Sequence, residues 1–252
     1  MQEALDMSAE ERRLKQMLRD PKIGAYFNTR ETGEHYLLSS GRHTDEFYQM
    51  AKAFRFEQVR RFIADILIEK IRGSSFVDSV EVLIGVPMGG IPLLYELQKN
   101  PLLMHAEAIW LEKERDPIKA LALKRRRAER LGTDLETIIK EPEFILNRNF
   151  KIDPDKQALV IEDVISTGGS VRAVVRACSD YDNPDDPDGK EDPFTGANIV
   201  GVVAAVNRMS IDADMLKISP VLDIIWALRD PLNSWAQEEC PYEHKLVPLK
   251  RI

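Results

Sequence analysis

The chain is poor in cysteine: Cys178 and Cys240 are the only 2 in 252 residues, which is too few for a disulfide framework. It also lacks an apolar run long enough to span a membrane, and its first residues lack the basic and apolar regions of a signal peptide. We therefore expect a soluble, cytoplasmic protein. Cys178 falls on the apolar stripe of a predicted helix, where a buried thiol is the expected state.

An excess of basic charge is lacking as well, since 35 Lys and Arg stand against 42 Asp and Glu, giving a net charge of −7. This balance argues weakly against nucleic acid as a partner, because proteins that bind it usually carry a basic face. A composition that is 44% hydrophobic can bury one sizeable core. We predict a single domain over residues 1–252, either with additions or with a small subdomain.

Apolar runs typical of buried strands alternate with helical patterns over most of the chain. This alternation indicates an α/β fold, with a mainly parallel, twisted sheet flanked by helices on both faces. The predicted strands cover residues 80–86, 106–111, 157–161, 199–206 and 221–228, and the predicted helices cover 56–71, 91–97 and 171–181.

Two segments look like insertions into this pattern. Residues 117–142 are helix-prone and strongly charged, with four consecutive cations at 124–127, for which a solvated helical face is the favoured interpretation. Residues 181–193 hold 6 carboxylates and 3 prolines, which favours a solvated loop. The spacing of the acidic residues in 181–193 does not fit a calcium-binding loop.

The most informative stretch, residues 157–171, reads Gln-Ala-Leu-Val-Ile-Glu-Asp-Val-Ile-Ser-Thr-Gly-Gly-Ser-Val. We expect an apolar strand that stops at Glu162 and Asp163, then a turn, then a helix. Free backbone N–H groups and the helix dipole make the turn at Ser166 to Ser170 an anion site, and the two carboxylates accept hydrogen bonds from hydroxyls. A sugar phosphate offers both a phosphate and vicinal hydroxyls. An ordinary strand-to-helix loop is the alternative, whereas the Walker and dinucleotide signatures are absent.

A second strand runs into a turn of small residues at 84–92, Ile-Gly-Val-Pro-Met-Gly-Gly-Ile-Pro. Such a turn lets backbone amides approach an anion closely, although Gly-Gly before a helix equally often serves tight strand–helix packing. Both turns are predicted at the carboxyl edge of one sheet, where open α/β sheets bind ligands.

Together these motifs resemble the phosphoribosyl diphosphate signature of type I phosphoribosyltransferases, and residues 24–228 are most similar to the orotate branch of that family. The resemblance implies that Glu162 and Asp163 hold the ribose hydroxyls and that residues 87–90 form the pyrophosphate loop. It also implies Mg²⁺ as cofactor, bound mainly through substrate with no metal site from the protein alone, and a homodimer. The substrate-binding residues implied by these two loops are Pro87, Met88, Gly89, Gly90, Val164, Ile165, Ser166, Thr167, Gly168, Gly169 and Ser170.

The choice of base rests on two further places in this resemblance. Residues 24–51 resemble the family's N-terminal hood, in which Phe47 and Tyr48 would stack near the base, although core packing is nearly as good an interpretation. Arg208, after a predicted strand, matches the arginine that contacts the orotate carboxylate. Its planar fork suits bidentate binding of a carboxylate, and the alternative is a surface charge at a strand end.

The chain departs from the family in the loop that neutralises pyrophosphate. Only Lys113 matches a catalytic cation there, while Glu112, Asp116 and Ile118 stand at positions of basic residues, and Ser39 replaces a hood lysine. Lys119 and the cations at 124–127 are candidates to replace them. Three functions remain open: an orotate enzyme, the same fold acting on another base, and a regulatory protein that binds phosphoribosyl diphosphate without turnover.

The C-terminal region, from Trp235 to His244, is similar to the Trp…Cys-Pro-x-Cys ending of some orotate-like members. The second cysteine is absent here. A zinc site of Cys240 and His244 would lack two ligands from the nearby sequence, so a structural tail is expected.

Overall fold

The computed structural model describes residues 7–38, 40–132, 134–146, 152–153, 155–179, 197–209, 222–242 and 249–251. The predicted loop at 181–193, Ser39 and His244 lie outside these residues. No helix in the described part of the chain is both long enough and apolar enough to cross a membrane.

A five-stranded sheet forms the centre of the fold, and all its neighbouring strands run parallel. The strands are β5 (Val80–Gly85), β6 (Glu107–Trp110), β9 (Gln157–Ile165), β10 (Asn198–Asn207) and β11 (Asp223–Arg229). Their order across the sheet is β11-β10-β9-β5-β6. This arrangement confirms the predicted α/β fold with a mainly parallel sheet.

Helices cover both faces of the sheet, because successive side chains of each strand point to opposite faces. The helices are α1 (Ala9–Arg19), α2 (Met50–Phe54), α3 (Glu57–Arg72), α4 (Gly90–Gln98) and α7 (Gly169–Ser179). Leu83 packs in one core cluster with residues of α1, α3 and α4, whereas Ile84 packs in a second cluster with residues of α7. Cys178 of α7 is buried as expected, and burial raises the pKa of its thiol to about 12.

Short strands beside the main sheet join the segment predicted as the hood, residues 24–51, to the C-terminal end of the chain. β1 (Tyr26–Asn28) pairs antiparallel with β4 (Glu46–Tyr48). In a second small sheet, β2 (His35–Leu37) lies between β3 (His43–Thr44) and β12 (Leu249–Arg251). The C-terminal strand therefore pairs with the N-terminal segment, about 200 residues away in sequence.

The segment 117–142 is helical, with α5 (Pro117–Leu131) and α6 (Leu135–Ile138) between the paired strands β7 (Glu112–Lys113) and β8 (Phe144–Ile145). The prediction of a solvated face for the cations at 124–127 is wrong for two of them. Lys124 and Arg127 are only 8% and 4% exposed. They lie three residues apart and therefore share one helix face, which here points inward.

Both buried cations hold the segment together through backbone carbonyls. Lys124 Nζ donates to Ile139 O at 2.7 Å and to Glu141 O at 2.5 Å. Arg127 donates to Phe144 O at 3.1 Å and forms an ion pair with Glu143. These two cations consequently have structural partners and are not available to replace the cations missing from the loop.

Candidate functional site

The carboxyl ends of the three central strands bring the predicted motifs to one edge of the sheet. Val86, just after β5, donates its N–H to Ile161 O of β9 at 2.9 Å. Arg208, just after β10, donates its N–H to Ile165 O at 2.9 Å. The acidic pair, the turn of small residues and Arg208 thus meet where open parallel sheets bind ligands.

The acidic pair lies inside a strand, which corrects the expectation that the strand stops at Glu162. β9 continues to Ile165 because Val164 and Ile165 pair with Val206 and Asn207 of β10. Glu162 is only 4% exposed, whereas Asp163 is partly exposed. Of the two carboxylates, Asp163 is therefore the more accessible to a ligand.

Local hydrogen bonds fix both carboxylates. Asp163 N donates to Glu162 Oε1 at 2.9 Å, and Val164 N donates to Asp163 Oδ1 at 2.8 Å. Burial raises the pKa of Glu162 well above its usual value, and the neighbouring Asp163 charge raises it further. Glu162 consequently holds its proton more tightly than an exposed glutamate does.

Gly89 and Gly90 are required by close approach to β9. A Cβ on Gly89 would collide with the Asp163 carboxylate, and a Cβ on Gly90 would collide with Ile161 O. Gly90 thus serves strand–helix packing, while Gly89 places the loop directly against the acidic pair. The other two loop residues are Pro87, partly exposed, and Met88, which is 79% exposed, and the peptide between them is cis.

The turn after β9 combines a left-handed glycine with the start of a helix. Gly168 adopts a left-handed conformation with φ of 73°, which favours glycine, and α7 begins at the next residue. The side chains of Ser166, Thr167 and Ser170 are partly exposed beside the first N–H groups of this helix. Val164, by contrast, packs against the first core cluster, and Ile165 is buried within the second.

Glu141, which the sequence analysis missed, anchors the segment 117–142 to the helix that carries this turn. Glu141 Oε1 accepts from Arg172 Nε at 2.6 Å, and Oε2 pairs with Arg176 Nη2 at 2.5 Å. Arg172 also donates from Nη1 to Thr167 O at 2.9 Å. No sequence motif signals this contact, because it joins residues about 30 positions apart.

Arg208 is a buried cation, so the alternative of a surface charge is wrong. Arg208 is only 5% exposed, and its Nη2 donates to Thr44 Oγ1 at 3.3 Å and to Glu46 O at 3.2 Å. Burial lowers the pKa of Arg208 to about 10, while the nearby Glu46 carboxylate acts in the opposite direction. The guanidinium therefore stays charged at neutral pH and connects the sheet edge to the hood.

Phe47 and Tyr48 are packed within the hood. Phe47 is 3% exposed and stacks on Phe27, with ring centroids 4.7 Å apart and an interplanar angle of 7°. Tyr48 is 5% exposed and donates its hydroxyl to Asp230. These contacts favour the core-packing interpretation, and contact with a base stays a prediction.

Residues 54–182 match the phosphoribosyl transferase domain family. The chain belongs to the type I phosphoribosyltransferase family. It is 27% identical over 215 residues to an orotate phosphoribosyltransferase from Caldanaerobacter subterraneus subsp. tengcongensis, covering 85% of this chain and 86% of that protein. The match extends well beyond the family domain and includes most of the chain.

Solved structures show the same fold at lower identity. UMP synthase from Leishmania donovani has a TM-score of 0.55 and 16% identity, over 88% of this chain and 36% of that one. Adenine phosphoribosyl transferase from Trypanosoma brucei has a TM-score of 0.51 and 14% identity, over 96% of this chain and 89% of that one. Since the fold is shared by a purine enzyme, the fold alone does not choose the base.

In this phosphoribosyltransferase, the loop that departs from the family pattern is a paired structure. Lys113 is exposed on β7, opposite Phe144 of β8, and Glu114 N donates to Glu143 O at 2.9 Å. The helices α5 and α6 connect the two strands. The structure thus places Lys113 at the base of a helical segment, and its contact with a ligand stays a prediction.

Asp230 is a second residue at the carboxyl edge of the sheet in this phosphoribosyltransferase that the sequence analysis missed. It follows β11, is 4% exposed, and accepts from Lys15 Nζ at 2.6 Å and Arg19 Nη2 at 2.9 Å. Its negative charge also favours the charged form of Arg208. The signal available in the sequence was an aspartate two residues after the last predicted strand, close to the strand end as the other site residues are.

Proposed function

We propose that this phosphoribosyltransferase transfers the phosphoribosyl group of 5-phosphoribosyl 1-diphosphate to orotate, giving orotidine 5-phosphate and diphosphate in pyrimidine nucleotide biosynthesis. The observation that carries the proposal is the meeting of four features at one sheet edge. These are the acidic pair at 162–163, the glycine loop at 87–90, the turn at 166–170 and the buried cation Arg208. The orotate relatives at about 27% identity support the same base.

Each feature matches one part of the substrate. The N–H groups at the start of α7 suit the 5-phosphate, and Asp163 with Glu162 suits the two ribose hydroxyls. The backbone of 87–90, pressed against Asp163, suits the diphosphate. Arg208 supplies a cation for the orotate carboxylate: among the described residues its hydrogen bonds to Thr44 Oγ1 and Glu46 O both use Nη2. Since both forks of the guanidinium include Nη2, a single hydrogen bond from Nε or Nη1 is the contact that this arrangement leaves for the carboxylate.

In the proposed reaction a ring nitrogen of orotate bonds to the ribose anomeric carbon, and its N–H proton passes to the departing diphosphate, while the bond from that carbon to the diphosphate oxygen breaks. The electron pair leaves with diphosphate, so positive charge develops on the ribose ring. Carboxylates held at 162–163 stabilise that charge, and no residue has to act as a covalent nucleophile. The chain's contribution is positioning and charge stabilisation.

The donors at this edge fit Mg²⁺, because carboxylate oxygens are the hard ligands that this ion prefers. Asp163 and Glu162 would hold it together with oxygens of the substrate, in keeping with a metal bound mainly through substrate. When bound, the ion supplies neutralisation of diphosphate charge. This contribution matters more here than in a loop rich in cations, since Lys113 is the one loop cation that matches the family.

Two other functions have specific observations in their favour. The packing of Phe47 and Tyr48 inside the hood favours a base other than orotate, because neither ring presents an open face for stacking. The substitutions at 112–118 and the engagement of Arg172 by Glu141 favour a regulatory protein that binds phosphoribosyl diphosphate without turnover.

The proposal also includes a homodimer, one domain over residues 1–252 with a hood at 24–51 and insertions at 117–142 and 181–193, and a cytoplasmic location. Support comes from the family resemblance and, for the hood, from the pairing of β12 with β2. Sedimentation of the purified protein tests the dimer directly.

Calorimetry and product analysis separate the three functions. We expect phosphoribosyl diphosphate to bind in a Mg²⁺-dependent way, and orotate to give the fastest release of diphosphate in a panel with uracil, adenine and hypoxanthine. The double variant Glu162→Gln, Asp163→Asn serves as the site control. Release with a different base supports the second function, and binding without release from any base supports the third. Binding that survives in the double variant refutes the site itself.

A further inference from the structure

Three side chains with metal-binding chemistry meet between the hood and the C-terminal tail. One potential ligand atom from each of His35, His43 and Cys240 lies within 4.8 Å of the other two. His35 is 0% exposed, His43 is 3% exposed and Cys240 is partly exposed. The chain has only 4 histidines, so two buried ones beside a cysteine form an uncommon concentration of nitrogen and sulfur donors.

We propose that His35, His43 and Cys240 form a transition-metal site that binds Zn²⁺ and fastens the tail to the hood. Two imidazoles and one thiolate are the donor types that zinc prefers. Tetrahedral zinc bonds of about 2.0–2.3 Å place neighbouring donors about 3.5 Å apart. A cluster whose donors already lie within 4.8 Å can reach that geometry by small side-chain movements.

The surrounding contacts hold Cys240 beside the two histidines. His43 and Trp235 exchange two backbone hydrogen bonds, of 2.8 and 2.9 Å. Tyr242, two residues after Cys240, stacks on the His35 ring with centroids 5.2 Å apart and an interplanar angle of 11°. The tail is thus attached to the histidine strands on both sides of the cysteine, which pre-organises the site for a metal.

Other polar contacts along the tail point the same way. Arg42 donates to Ser234 Oγ at 3.0 Å, and Tyr242 Oη donates to Asp45 Oδ2 at 2.9 Å. Loss of a metal would therefore loosen an interface that also contains Thr44, which accepts from Arg208. The ligands come from two segments about 200 residues apart, so the metal would stabilise the fold chiefly by linking the N-terminal and C-terminal segments.

The sequence analysis missed this set because it sought the partners of Cys240 nearby. The sequence candidate His244 lies outside the described residues. The two histidines near the cysteine belong to strands β2 and β3. The pairing of β12 with β2 and the bridge between His43 and Trp235 bring these strands to the tail.

Metal content and spectroscopy test the site without reference to enzyme activity. We expect about one zinc per chain in protein purified with Zn²⁺ and dialysed, and a thiolate-to-metal charge-transfer band when Co²⁺ replaces zinc. Cys240→Ser and His43→Gln are expected to lose the stoichiometric zinc, and Cys240→Ser to lose the charge-transfer band. Cys178→Ala and His105→Gln, which alter the other cysteine and a histidine elsewhere, are expected to keep both.

Thermal unfolding provides a second reading. A strong chelator is expected to lower the melting temperature of the native chain and to leave that of Cys240→Ser unchanged. Because Cys240 is partly exposed, this variant is expected to fold, and it keeps the test decisive where a histidine variant does not fold. Native protein that binds neither Zn²⁺ nor Co²⁺, or equal metal content in native protein and Cys240→Ser, overturns the proposal and leaves a metal-free histidine cluster.

Discussion

Replacing Glu162 by glutamine separates the effect of this buried carboxylate on protein stability from its effect on ligand binding. Glu162 is 4% exposed, and burial followed by the Asp163 charge raises its pKa well above the usual value. Glutamine has nearly the same shape and still offers an oxygen to Asp163 N, but it carries no charge. We therefore expect Glu162→Gln to stabilise the protein at neutral and alkaline pH.

The direction in which stability changes with pH follows from proton linkage. The folded chain holds the Glu162 proton to a higher pH than the unfolded chain does, so the native free energy of unfolding falls as pH rises between the two pKa values. The slope is about 1.4 kcal/mol per pH unit for one group. The contribution of Glu162 to the free energy of unfolding is complete below the pKa of the unfolded chain and is lost as pH rises through the pKa of the folded chain. The advantage of Glu162→Gln is expected to grow over the same window.

For a chain of this size, 1 kcal/mol corresponds to about 2–4 °C in melting temperature. Melting curves from pH 5 to pH 8 are therefore sufficient to measure the effect, and Glu81→Gln, at an exposed position of β5, is the matched control. A difference between Glu162→Gln and native protein that is independent of pH, or that falls with rising pH, refutes the reasoning.

The same variant is expected to weaken binding of phosphoribosyl diphosphate. Each charged hydrogen bond that is lost costs about 1.5–3 kcal/mol, or about 10- to 150-fold in affinity. Greater stability together with weaker binding would indicate that the buried carboxylate is retained for the ligand. Unchanged binding would instead assign the ribose hydroxyls to other groups.

Three further changes test the rest of the edge. Gly89→Ala places a Cβ against Asp163 and is expected to abolish Mg²⁺-dependent binding in calorimetry. Gly73→Ala, whose Cβ would meet Lys70 O at an ordinary 3.6 Å, is expected to leave binding intact. Gly168→Val forces a β-branched residue into a left-handed turn and is expected to weaken binding of ribose 5-phosphate; unchanged titration contradicts the anion site. Arg208→Ala is expected to raise the orotate KM and lower kcat by several kcal/mol in total, with poor uracil turnover unaffected, and equal loss for both bases contradicts the carboxylate role.

The sequence by itself determined the features that contiguous residues create. The stretch 157–171 contains its own strand, acidic pair, turn and helix start, so its chemistry is readable without knowing the rest of the fold. The alternation of apolar runs and helical patterns likewise fixed the parallel sheet, because each element shows its own period. Gly168 was placed correctly in the turn for the same local reason.

Only the tertiary structure decided what meets across long separations. The hood strand supplies the contacts that bury Arg208, β9 supplies the carboxylate against Gly89, and the tail brings Cys240 to His35. The burial of Lys124 was also decided only by the tertiary structure, since a helix pattern shows which residues share a face but not which face is covered. Strand order and tail docking set these contacts, and both depend on packing between segments that no local pattern describes.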